Sequence, residues 1–274
     1  MPELPEVETI AADLRPQLVG QRIERVESLY PAMVRHPDAT LFKEGLRGRR
    51  IEALTRRGKY LLFHLDSGEL FVVHLGMTGQ LRVSAPALAL EPHTHLVLAL
   101  DDGRQLRYRD VRRFGRLLFG SEEDLLRERQ LPRLGPEPID PSFTADDLYR
   151  RLKGRRAPLK ALLLDQAVVA GVGNIYADES LYRARIRPDR PAGRISRKSA
   201  QRLRDALRDS LELAIGNRGS SVDDYRDGFG ERGRQQEELL VYGRAGQPCP
   251  RCGRPLASVR LAGRTTVFCR HCQR

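Results

Sequence analysis

No apolar run in the 274-residue sequence approaches the roughly 20 residues that a membrane-spanning helix needs, which argues against a membrane protein. The N-terminus, Met1-Pro2-Glu3-Leu4-Pro5-Glu6, has no basic segment followed by an apolar one, so no secretory signal is evident and cytoplasmic residence is expected. No cysteine precedes Cys249, and no acidic residue follows Glu238. Lysine is scarce, five against 43 arginines. There is neither an internal repeat nor a low-complexity tract. What remains is a chain with 40% hydrophobic residues, long enough to bury a substantial core in one or two domains.

The charge is unevenly spread. Residues 1 to 131 carry 20 basic and 19 acidic side chains, whereas 132 to 274 carry 28 and 17, so the two halves contribute +1 and +11 to the net +12. The acid-free tail alone holds Arg244, Arg251, Arg254, Arg260, Arg264, Arg270 and Arg274. Genomic base composition accounts for part of an arginine excess, but not for the loss of every carboxylate. A polyanion is the expected partner, bound with release of counterions.

All four cysteines lie in that tail, as Cys249-Pro250-Arg251-Cys252 and Cys269-Arg270-His271-Cys272 with 16 residues between the pairs. This is the spacing of a zinc ribbon. Four thiolates complete a tetrahedron and leave no open position, so one structural Zn2+ is expected and His271 is an exposed neighbour. Disulfides are disfavoured in a cytosolic chain.

Pro5 to Leu18 reads as a helix, with proline in its first turn, carboxylates near its positive end, and Val7, Ile10, Leu14 and Leu18 toward a core. Gly20 is a plausible stop, with Pro16 in the last turn. Eight β-rich runs follow, at 21–29, 50–55, 59–65, 69–75, 80–84, 94–100, 104–110 and 115–120, with Asp66-Ser67-Gly68 and Asp101-Asp102-Gly103 as hairpin turns. They predict a β-sandwich or barrel. A proline-rich joint at 132–141 then coincides with the change in charge balance and marks a domain boundary. Helical patterns occupy 144–153, 158–166, 174–184 and 196–216, followed by a polar, glycine-containing stretch at 217–237. The glycines of Gly171-Val172-Gly173-Asn174 allow backbone N–H groups to converge on a phosphate, with Asn174 capping the next helix. Taken alone, that turn reads better as an ordinary helix connection.

Several of these segments together resemble the bacterial formamidopyrimidine-DNA glycosylase family. They are Pro2-Glu3-Leu4-Pro5-Glu6-Val7-Glu8-Thr9, Arg57-Gly58-Lys59-Tyr60, His74-Leu75-Gly76-Met77-Thr78-Gly79, Arg112-Arg113-Phe114-Gly115, the segment from Leu159 to Gln166, the segment from Gly173 to Glu179, and the cysteine ribbon. The resemblance spans essentially the whole chain. It implies an α+β fold: an N-terminal helix on a β-sandwich (1–131), a hinge (132–141), a helical domain with a helix-two-turn-helix and a lesion-loop region (142–238), and a zinc finger (239–274). The implied activity is a bifunctional glycosylase and abasic-site lyase acting on oxidised purines in double-stranded DNA, 8-oxoguanine and formamidopyrimidines in particular. A monomer in the bacterial cytoplasm, on the nucleoid when bound to DNA, is expected.

The resemblance also implies residue roles. Pro2, freed by removal of Met1, would be the nucleophile; an α-amino group of pKa about 8 is partly neutral at physiological pH. Glu3 would shuttle protons, Lys59 would donate a proton in β-elimination and contact phosphate, and Arg264 would bind phosphate and serve δ-elimination. Glu6 would line the lesion pocket, although a carboxylate there also suits the helix dipole. Met77, Arg112 and Phe114 would fill the gap left by an extruded base, while His93, Arg112, Arg156 and Asn174 would contact DNA. Singly, Met77 and Phe114 would be taken for core residues and Arg112 for a surface charge. Arg156 stands where a lysine is common, and an arginine stands in Gly230-Glu231-Arg232-Gly233-Arg234 where an aromatic is usual. Two alternatives remain: an endonuclease VIII-like glycosylase for oxidised pyrimidines, and a non-catalytic DNA-binding zinc-ribbon protein.

Overall fold

The computed structural model describes residues 1–128 and 130–274, in two compact units. One comprises Met1–Arg133 with Asn217–Arg234, the other Leu134–Gly216 with Gln235–Arg274. The division at 133/134 falls in the proline-rich joint. Residues 217–234, expected with the helical domain, pack instead with the N-terminal unit, because the first helix offers them two buried carboxylates, Glu6 and Asp13.

In the first unit, α1 (Leu4–Leu18) has Glu3 at its N-cap and Pro5 in the first turn, where a missing N–H costs nothing. Val7, Ile10, Leu14 and Leu18 are fully buried. The helix stops at Val19, and Gly20 takes φ of +91°, a conformation cheap only for glycine. Then follow β1 (Ile23–Leu29), β2 (Val34–His36), α2 (Ala39–Leu46), β3 (Ile51–Arg57), β4 (Tyr60–Leu65), β5 (Leu70–His74), β6 (Gly79–Ser84), β7 (Thr94–Leu100), β8 (Gln105–Asp110), β9 (Arg116–Gly120) and α3 (Glu122–Arg127).

The strands form two sheets, a four-stranded one ordered β1-β7-β8-β6 and a five-stranded one ordered β2-β9-β5-β4-β3. Of the two architectures the strand pattern allowed, the sandwich is realised. Both expected hairpin turns are present, with Gly68 and Gly103 at φ +81°. One apolar cluster joins α1 to both sheets through Ile10, Leu14, Phe63, Phe71, Leu98 and Leu106.

The second unit contains α4 (Ala145–Leu152), α5 (Leu159–Leu164), α6 (Asn174–Arg183), α7 (Arg197–Gly216), β10 (Ala257–Leu261) and β11 (Arg264–Phe268). Thr144 caps α4 in a reciprocal pair with Asp147. Buried Leu203, Leu207 and Leu211, spaced along one face of α7, form a stripe of core residues. Among the described residues, no helix is long and apolar enough to cross a membrane.

Candidate active site and nucleic-acid interface

Two contacts set the path of α1 along β3 in the first unit. Arg15 Nε donates to the Leu54 carbonyl at 2.9 Å, and Arg56 Nε donates to Glu8 Oε2 at 2.7 Å. Moving toward the start of the helix therefore means moving toward the end of β3. β3 runs on from Arg57 into the Gly58-Lys59 turn. Gly58 has φ of +57°, and Pro2, Glu3 and Lys59 are all buried. Met1 is 39% exposed, with its ammonium 3.8 Å from Asp223 Oδ2.

Beside Lys59 stands His74, whose imidazole is driven down to about 4 by burial and then by the charges of Lys59 and Arg116. Its Nδ1 accepts the Gly76 N–H at 3.2 Å, which suits a neutral ring.

Glu6 is committed on both oxygens. Oε2 accepts the Glu3 N–H at 2.8 Å and Oε1 accepts the Ser220 N–H at 2.8 Å. Further along the helix, Asp13 Oδ2 receives Arg218 Nη2 at 2.6 Å and the Gly228 N–H at 3.0 Å, while Arg218 also donates to buried Asp227. Residues 217–234 are thereby pinned along α1. A Cβ on Gly228 would lie 2.6 Å from the Asp13 Cβ, so the approach requires glycine.

At one end of the four-stranded sheet, Met77 is half-buried, and Phe114 is 52% exposed with the Arg112 guanidinium 4.9 Å from its ring centroid. Phe114 is thus not a core residue. His93 has φ of +68°, and its carbonyl accepts the Asp110 N–H at 3.0 Å.

In the second unit, the loop from α5 to α6 is braced by Gln166. Its Oε1 accepts the Gly171 N–H at 2.9 Å and its Nε2 donates to the Val172 carbonyl at 2.9 Å. Gly173, not Asn174, occupies the N-cap of α6. Asn174 is the first helical residue and its side-chain amide turns to the Thr265 carbonyl at 3.3 Å. The expected capping role is therefore corrected: a side chain inside the first turn points along the helix surface, here to β11.

The β10–β11 hairpin turns at Ala262-Gly263, with φ of +48° and +72°, and Arg264 is exposed immediately after it. Arg156 is exposed in the segment between α4 and α5.

The residues that hold this hairpin and the 240–242 segment before it were not identified from sequence. Lys160 and Asp178, both fully buried, pair at 2.7 Å. Lys160 also donates to Thr266 Oγ1 at 2.8 Å, and Asp178 accepts the Val267 N–H at 3.0 Å. Glu179 accepts backbone N–H groups from Leu240, Val241 and Tyr242 at 2.8–3.1 Å. All three belong to the segments that suggested the family, and a charged residue amid apolar helix positions was the available signal.

The four cysteine sulfurs lie within 4.8 Å of one another, with Cys249 and Cys272 3.9 Å apart and Cys252 and Cys269 3.6 Å apart. A regular tetrahedron with Zn–S bonds of about 2.3 Å has edges of about 3.8 Å, so the cluster fits one zinc ion. None of the four forms a disulfide.

Comparison with known proteins agrees with this geometry. Residues 1–117 match the formamidopyrimidine-DNA glycosylase N-terminal domain, 134–226 the H2TH domain of the same enzymes, and 246–274 a zinc finger found in FPG and IleRS. The formamidopyrimidine-DNA glycosylase of Moorella thermoacetica is 52% identical over 95% of each chain. The chain belongs to the formamidopyrimidine-DNA glycosylase family. Its relative in Heliobacterium modesticaldum is 49% identical over the full length of both.

Among solved structures, the MutM (Fpg) protein of Thermus thermophilus superposes with a TM-score of 0.89 at 47% identity, covering 99% of this chain and 98% of that one. A Lactococcus lactis Fpg solved in complex with abasic-site DNA gives 0.91 at 37% identity over 99% of both chains. The α+β fold, the DNA-repair glycosylase class and the single structural zinc follow from membership together with the cysteine geometry.

Proposed function

We propose that this glycosylase excises oxidised purines, 8-oxoguanine and formamidopyrimidines, from double-stranded DNA and then cleaves the strand at the resulting abasic site, acting as a monomer. The supporting observation is that Pro2, Glu3 and Lys59 are all buried, with α1 starting toward the end of β3 that leads into the Gly58-Lys59 turn. After Met1 is removed, Pro2 presents a secondary amine near the positive end of α1, which favours its neutral, nucleophilic form.

Attack of Pro2 N on C1′ breaks the glycosidic bond; the base leaves with the bonding pair and is protonated, and the proline nitrogen releases its own proton, which balances that uptake. Glu3 delivers a proton to the ring oxygen as the C1′–O4′ bond opens, leaving an iminium between C1′ and the proline nitrogen. Loss of a C2′ proton then expels the 3′ phosphate, with Lys59 as proton donor and phosphate contact. A second elimination expels the 5′ phosphate, with Arg264 at that group.

Met77 and Phe114 replace the stacking lost on base extrusion, and Arg112 meets the orphaned partner base. Glu6 borders the lesion pocket, and His93, Arg156 and Asn174 take up further DNA contacts. Zinc, held by Cys249, Cys252, Cys269 and Cys272, supplies no chemistry and shapes the ribbon. The neighbouring Lactococcus complexes with abasic and Fapy-dG DNA are consistent with this substrate class.

Borohydride trapping on matched duplexes tests the assignment. Faster crosslinking to 8-oxoguanine than to an oxidised pyrimidine is expected, and the reverse order would move the protein to the endonuclease VIII-like side.

A further inference from the structure

The loops carrying Met77 and the Arg112–Phe114 pair leave the same end of one strand pair. β6 begins at Gly79, β8 ends at Asp110, and those two residues face each other across the ladder. Asp110 is fully buried. Its Oδ1 accepts the Thr78 hydroxyl and the Arg112 N–H, the latter at 3.3 Å. Its Oδ2 accepts the Gly115 N–H at 2.8 Å and lies 3.3 Å from the Tyr108 hydroxyl. Thr78 Oγ1 in turn accepts the Arg112 N–H at 3.1 Å. The peptide group of Asp110 extends the same hub, its N–H donating to the His93 carbonyl at 3.0 Å and its own carbonyl 3.0 Å from His95 Nε2.

The four donors to this carboxylate are neutral, so its burial does not serve to balance a cation. A buried carboxylate is costly to keep, and its return here is geometric: one rigid acceptor spans both loops. The loops also meet without slack. A Cβ on Gly76 would lie 2.5 Å from the Gly115 nitrogen, and one on Gly115 would lie 1.8 Å from the Tyr108 hydroxyl oxygen. Phe114, by contrast, is 52% exposed and is not held by a core of its own. Its position depends on the base of its loop.

We propose that Asp110 is a positioning residue for lesion extraction, its buried carboxylate fixing the spacing between Met77 and the Arg112–Phe114 pair, with Thr78 as its relay. This rests on the insertion role assigned above.

Asp110→Asn preserves volume but replaces an acceptor oxygen with an NH2 group that faces donors. Single-turnover excision from an intact 8-oxoguanine duplex should fall about 10- to 100-fold, the scale for losing a hydrogen bond to a charged group. Incision at a preformed abasic site, which needs no base extrusion, should fall less than about 3-fold. Thr78→Val should show the same split, and Thr78→Ser should restore excision to within about 3-fold of the parent; this pair decides the matter if Asp110→Asn does not fold. Equal losses on both substrates, or no loss on either in a folded variant, would overturn the proposal. A parent protein inactive on both duplexes would instead overturn the functional assignment beneath it.

Discussion

At the residue scale, Glu6 shows how one side chain serves fold and site together. One oxygen of Glu6 accepts the Glu3 N–H in the first turn of α1, while the other holds the Ser220 N–H from a segment more than 200 residues away. Only the first of these is legible in local sequence. Pro2 is the sharper case, because the chemistry proposed for it depends on a ring-fixed secondary amine. Pro2→Gly keeps an amine but not that geometry. Excision and borohydride crosslinking should drop by at least roughly 100-fold while DNA affinity changes only a few-fold; an undiminished crosslink rate would remove Pro2 from its assigned role.

His74 gives a pH-dependent expectation. Its folded pKa, about 4, lies below the unfolded value of 6.5, so the unfolded chain binds the extra proton between those values. The stabilisation from a neutral His74 is complete above pH 6.5 and is lost as pH falls through about 4. Its full size is about 3 kcal/mol. Urea denaturation from pH 7 to 4 should show this slope, and His74→Gln should flatten it. A slope unchanged in that variant would assign the acid sensitivity elsewhere.

At the scale of elements, the sequence pattern located α1, α4 to α7 and the eight longer strands of the first unit, because each carries its own periodicity and stops. It missed α2 and α3, which are short and lie among strand signals. Their caps were nonetheless present: the Asp38 carboxylate accepts the Thr40 and Leu41 N–H groups, and Ser121 accepts the Asp124 N–H. The ribbon was legible from cysteine spacing, whereas its attachment to α5 and α6 through Lys160, Asp178 and Glu179 was not. With the role proposed for Arg264, that attachment couples the metal to DNA binding. Cys249→Ser should reduce zinc content and weaken DNA binding together, since Arg264 loses its fixed hairpin; full affinity in a protein shown by metal analysis to be zinc-free would refute this coupling.

The insertion role proposed for Met77 and Phe114 makes a separable prediction. Replacing Met77 and Phe114 with Ala together should slow excision from a duplex by roughly 10- to 1000-fold, matching an unstacking cost of a few kcal/mol, but slow abasic-site cleavage far less. Comparable slowing on both substrates would give these residues a folding or general binding role.

At the scale of the whole molecule, the two compact units divide at 133/134, within the proline-rich joint where the charge balance changes, and 217–234 return to the first unit. Glycines and polar residues in that segment look like a flexible linker, and their partners, Glu6 and Asp13, are carboxylates whose importance appears only once α1 is folded beside them. The family motifs supplied what local pattern could not: a reason for an N-terminus crowded with prolines and carboxylates, a lone lysine at a strand turn, and exposed Phe114. They converge on the proposal that the nucleophile is the chain's own N-terminal, iminium-forming nitrogen. The most direct test is to trap the protein on an 8-oxoguanine duplex with borohydride, digest it, and locate the nucleotide adduct by mass spectrometry. An adduct on the N-terminal peptide beginning at Pro2 is predicted; an adduct on Lys59, or on a peptide that still carries Met1, would contradict it.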